Sequence, residues 1–67
     1  MVNLNKEYII CFPNKDATER YDYIGKAIGQ FTNKQNSEEN YFVVSIEALG
    51  RCEKILNSDE SNRIISL

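Results

Sequence analysis

The stretch YIGKAIGQF, residues Tyr23–Phe31, decides the fold. Taken with its upstream neighbours, its apolar positions run Ala17, Tyr21, Ile24, Ile28 and Phe31, in steps of four, three, four and three. That period places all five on one stripe of an α-helix about 80° wide. Asn14 or Asp16 would cap the first free amides, and Asp16, Glu19 and Asp22 fall early, where the helix dipole favours acids. The pattern predicts a helix from Ala17 to Phe31, with Tyr23 and Ala27 on one flank of the stripe and Thr18, Gly25 and Gly29 on the other. The glycines weigh against it, since each costs about 1 kcal/mol relative to Ala in a helix interior. Their spacing suggests a use: Gly25 and Gly29 would form a smooth strip that lets another backbone come close. The neighbour expected there is the protein's own sheet, ahead of a partner or a symmetry mate.

Working outward, EYIICF at Glu7–Phe12 is a continuous apolar run of β-branched and aromatic residues closed by Pro13, which predicts a first strand. YFVVS at Tyr41–Ser45 predicts a second. The stretch between, TNKQNSEEN at Thr32–Asn40, holds no apolar side chain and reads as an exposed connection and a candidate contact surface. Two readings compete after Ser45. As a helix, Ala48, Leu49, Cys52, Ile55 and Leu56 share a face. As a hairpin, Leu49-Gly50-Arg51 is the turn and Cys52–Leu56 a strand of poor alternation, because Ile55 and Leu56 are adjacent. The helix is favoured, against the cost of Gly50 and a strand-to-helix joint with almost no loop. Asn57–Asn62 is a polar break, and RIISL at Arg63–Leu67 predicts a last strand at a sheet edge.

The fold class expected is α/β or α+β, a single small domain over residues 1–67 in the order β-α-β-α-β. Right-handed crossovers would place both helices on one side of a three-stranded sheet. The alternative is β-α-β-β-β, one helix on an antiparallel sheet. Either leaves an apolar face or edge for another molecule to cover.

A chain of 67 residues seldom gathers more than about 3–5 kcal/mol from its core, so a staple or a partner is expected. The chain has no histidine and two cysteines without CxxC spacing, so no zinc pattern can be written. Cys11 and Cys52 read as reduced, buried small hydrophobes. Without histidine, no Ser-His, Cys-His or metal-water constellation can be assembled. No glycine-rich phosphate loop is present, and the acid pairs Glu38-Glu39 and Asp59-Glu60 sit in polar breaks. Neither catalysis, a cofactor nor a metal is expected.

Eight basic against ten acidic side chains give a charge of −2 with the signs mixed along the chain, unlike the basic stripe of a nucleic-acid binder. Tyr8, Phe12, Tyr41 and Phe42 with Lys6, Lys15, Lys26 and Lys34 offer a weaker single-strand reading. The polar start MVNLNKEY and the lack of an apolar run near 20 residues predict no signal peptide and no membrane span, hence a cytoplasmic protein.

What remains is binding. The expectation is a small non-enzymatic protein-binding module acting sterically as an inhibitor or accessory factor, of the kind phages and mobile elements encode. Its partner would be another protein or a second copy of itself, as a homodimer. A small nucleic-acid-binding module and a minor subunit of a larger assembly are the alternatives. The partner-binding residues expected are Tyr21, Tyr23, Gly25 and Gly29, with Glu38 and Glu39 joining Asp59 and Glu60 in an acidic rim that orients a basic surface.

Overall fold

The computed structural model describes residues 2–35 and 39–67. Among them are five strands, β1 (Glu7–Phe12), β2 (Tyr21–Thr32), β3 (Asn40–Ile46), β4 (Arg51–Leu56) and β5 (Ile64–Ser66). They are joined by 3-10 turns at Glu47–Leu49 and Asn57–Asp59, and one short helix, α1 (Glu60–Arg63), precedes β5. Every pairing is antiparallel, in the order β4-β3-β2-β1-β5. This is a small α+β domain, and its antiparallel sheet with a single helix fits the alternative expectation. The three-stranded sheet with two helices is not what forms. β1 occupies the predicted residues, β3 encloses Tyr41–Ser45, and β5 lies at an edge as expected.

The largest correction concerns Ala17–Phe31, where no helix forms; Tyr21–Thr32 is the longest strand of the sheet. Tyr21, Tyr23, Ile24, Ile28 and Phe31 are aromatic or β-branched, and such side chains fit a pleated surface better than a helix. The steps of three and four have a local cause. Ile24 and Ile28 are two alternations apart on one face. A bulge then follows: Ala27 pairs with Val44 and Gly29 with Val43, leaving Ile28 as the extra residue. The inserted residue shifts the alternation by one, so Phe31 rather than Gln30 returns to the face of Ile24 and Ile28. A strand with one bulge thereby mimics a helical period.

The second correction lies at 46–56, which the helix reading claimed. Gly50 sits at φ 64, the left-handed region, and its N–H donates to the Glu47 carbonyl at 3.0 Å. A residue without Cβ adopts that conformation without steric cost. The chain reverses there and Arg51–Leu56 pairs along β3 from Ile46 back to Tyr41. Ile55 and Leu56 are adjacent but face opposite ways: Ile55 is buried inside, and Leu56 lies beside Tyr41 on the outer face, half-buried.

The sheet is strongly curled. α1 has only four residues and lies beside β1, β5 and β4, so it covers little of the inner face. The complete burial of Ile10, Val44, Ile46 and Ile55 on that face therefore requires the sheet to fold over its own inner side. The bulge supplies local bend and twist. The inner face of β2 is small at mid-strand, where Gly25 and Ala27 point inward, and this permits the close approach. Ile10, Val44, Ile46 and Ile55 fill the enclosed space with no exposure above 1%. Val2 and Ile64 close its ends. The segment before β1 is held in place by two backbone bonds to the bulge, Asn5 N–H to the Ala27 carbonyl at 2.7 Å and Ala27 N–H to the Lys6 carbonyl at 3.0 Å.

Candidate binding surface

The outer face of the sheet is where apolar side chains meet solvent. Alternation along β2 sends Ile24 and Ile28 outward, each 47% exposed, and the bulge adds Phe31 at 51%. Neighbouring strands extend this surface in register. Ile9 faces Ile24 on one side and Ile65 on the other, while Val43 lies opposite Gly29. Phe31 and Tyr41, partners across β2 and β3, stack with ring centroids 5.8 Å apart, and Lys54 Nζ stands 4.9 Å from the Tyr41 ring centre. The inner face takes the core, and among the described residues no helix or further strand lies over these outer groups. Clustered exposed apolar groups of this kind mark interaction sites.

Beside Ile24 the surface becomes polar. An open groove of about 1030 Å³ lies between β2 and the Glu47–Leu49 turn, its charges being Glu7, Asp22, Lys26, Glu47 and Arg51. Two of these are already paired within the chain. Arg20 Nε meets Asp22 Oδ1 at 2.9 Å, and Arg51 Nε meets Glu53 Oε1 at 2.7 Å. Lys26 stands opposite Glu7 in the ladder. The groove therefore carries mixed charge, its cations standing beside acids of the same chain. Among the described residues no group of three or more His, Cys, Asp and Glu could hold a metal, and no helix is long and apolar enough to cross a membrane.

The two cysteines occupy opposite environments. Cys11 is buried beside Asp22, and Arg63 Nε donates to its carbonyl at 2.6 Å while stacking 4.6 Å over the Phe12 ring. Burial pushes the Cys11 thiol up from its ordinary range, and the neighbouring Asp22 carboxylate adds to the effect. Cys52, expected inside, is exposed, because position 52 points outward on an edge strand.

The residues predicted as partner-binding do not gather in one place. Tyr21 is 68% exposed at the start of β2. Tyr23 is turned inward, its ring edge-on to Phe12 with centroids 6.0 Å apart. Gly25 is buried where a Cβ would come within 2.7 Å of Ile10 Cγ1 and 3.3 Å of Ile46 Cγ1. Gly29 lies beneath the Phe31 ring, whose Cε2 would stand 2.6 Å from an added Cβ. The two glycines share no smooth helical strip; one serves the core and the other the outer face. Glu38 lies outside the described residues, and the Glu39 carbonyl accepts the Asn33 N–H at 2.9 Å. Tyr8 and Phe42, offered for nucleic-acid stacking, are in the core. The residues that make the surface, Ile24, Ile28 and Phe31, belong in the sequence pattern to a buried stripe; their β-branched and aromatic character and the two intervening glycines are the signals that point to a strand instead. No protein-family model, no curated protein and no solved structure matches this chain.

Proposed function

We propose that this chain is a non-enzymatic protein-binding module that acts by steric cover, as an inhibitor or accessory factor, with its partner seated on the outer face of β2. The observation that supports this is the set Ile24, Ile28 and Phe31, about half exposed in the middle of the sheet rather than at a fraying end. Stable interfaces combine an apolar centre with a polar rim, and the rim here is the mixed-charge groove from Glu7 to Arg51. Binding draws on burial of these side chains at roughly 25 cal/mol per Å² of apolar surface, reduced by the cost of association. The immobilised full chain is compared with its Ile24→Ser/Ile28→Ser variant in capture from extracts of the source cells. The reading expects a protein retained by the native chain and lost by the variant, with circular dichroism unchanged. Equal capture by the two, or none by either, removes it.

The stacked Phe31 and Tyr41 rings with Lys54 favour a second reading, a platform for single-stranded nucleic acid. Its signature is binding to oligonucleotides that weakens steeply with salt. The net charge of −2 weighs against it.

A further inference from the structure

β4 ends the sheet on one side, and among the described residues no backbone hydrogen bond outside the ladders involves Arg51–Leu56. Such an edge offers a free row of donors and acceptors. Its side chains divide by face: Cys52, Lys54 and Leu56 lie with Ser45, Val43 and Tyr41 outside, and Arg51, Glu53 and Ile55 lie with Ile46, Val44 and Phe42 inside. We propose that this edge pairs antiparallel with the same edge of a second copy, about a two-fold axis passing through Cys52.

The charge order along β4 selects both the partner and the register. A continuous sheet made by a two-fold axis keeps inner residues opposite inner ones, so the axis must pass through a residue position. An axis at Arg51, Glu53 or Lys54 sets that charge against its own copy. An axis at Ile55 lays Lys54 against Leu56 and carries Glu53 past the end of the partner strand, where the chain turns at Asn57–Asp59. With the axis at Cys52, Arg51 faces Glu53 of the partner subunit and Glu53 faces Arg51 of the partner subunit. Each chain already holds Arg51 and Glu53 together at 2.7 Å, so the two pairs combine into an alternating square of four charges. Charges on an edge strand ordinarily keep copies apart; this order blocks the neighbouring charge-centred registers and admits this one.

Two consequences follow. The two Cys52 thiols meet on the outer face, where opposed residues of an antiparallel pair have Cα atoms about 4.5–5.5 Å apart, a separation a disulfide spans. The outer faces of two five-stranded sheets also become one surface carrying two copies of the apolar patch. With three paired residues on each side, the association is weak and driven by concentration. It uses an edge, not the outer face, so it stands or falls separately from the docking reading above.

The test is the mass of the reduced full chain by light scattering over a concentration series to about 1 mM. The expected result is a rise from 7.8 kDa toward twice that value. Arg51→Glu should raise the dissociation constant about tenfold or more by setting acid against acid in both pairs, and Arg51→Glu/Glu53→Arg should restore it. In parallel, diamide, an oxidant that accepts the two electrons and two protons released as two thiols become one disulfide, should give a covalent dimer. That dimer should be slowed in Arg51→Glu, recover in the double variant, and be absent in Cys52→Ser. A monomer throughout the series, or a dimer and cross-link indifferent to the charge reversal, overturns the proposal. Circular dichroism of each variant confirms that the edge, not the fold, has been altered.

Discussion

The two faces of β2 invert the usual relation between size and burial. Past the inward Tyr23, its middle presents Gly25 and Ala27 toward the core, and Ile24, Lys26 and Ile28 toward solvent. The inner side is small because the curl brings β1 and β3 over it: the space a Gly25 side chain would need is held by Ile10 and Ile46, both fully buried. The outer side is large although, among the described residues, no helix or further strand covers it. Room, not hydrophobicity, decides what is buried at mid-strand, and the aliphatic groups left outside are the ones on which the docking proposal rests.

The sharpest way to break this contrast is to enlarge the inner side. Gly25→Val should cost about 3 kcal/mol through overpacking, comparable with the roughly 3–5 kcal/mol a core of this size supplies. The variant should be largely unfolded by circular dichroism at 25 °C; a native urea midpoint would show that the curl can relax. Gly29→Ala probes the same change on the other side. Its Cβ meets the Phe31 ring, which is half exposed and can swing into solvent. Reduced freedom of the unfolded chain offsets part of the cost, so the midpoint should stay within about 1 kcal/mol of the native value.

A smaller effect separates the two cysteines. In the folded chain iodoacetamide should label Cys52 and spare Cys11, with both labelled in urea. Because the Cys11 pKa is raised in the folded state, the unfolded chain loses that proton first. The stabilisation is therefore complete below the ordinary thiol pKa of the unfolded chain and is lost as pH rises from there through the higher folded value. Stability curves of the native chain and Cys11→Ala should converge as pH is raised above that point; parallel curves would show that the thiol is not shielded. The smallest effect belongs to the outer side: Ile28→Ser should move the urea midpoint by less than about 0.5 kcal/mol, and a loss like that of Gly25→Val would mean Ile28 is a core residue after all.

β1, β3 and β5 were legible because each is an apolar run bounded by turn residues, and periodicity is not needed to read such a run. β2 was not, since its outward isoleucines and the residue inserted at Ile28 reproduce helical spacing. β4 is ambiguous in sequence because adjacent Ile55 and Leu56 break the alternation, one entering the core and the other lying beside Tyr41 on the outer face, a neighbour that only the assembled sheet supplies. The candidate surface was hidden for the same reason as β2: Ile24, Ile28 and Phe31 were assigned to the interior. Of the expected contact residues that are described, Tyr21 alone is exposed. The general expectation of an uncovered apolar face did not depend on those assignments, because it rested on how few layers so short a chain can build.

Arg63 reaches back across 52 positions to the Cys11 carbonyl, and Ile64 next to it opens the strand that flanks β1. During synthesis β1 leaves the ribosome well before residues 64–66, its partners on that side, have been made. Pairings over such long separations slow folding, and the nascent chain spends that interval with one flank of β1 bare. Completion of the sheet is thus tied to the emergence of its last strand, which makes the interval before it the period when chaperones have most to protect.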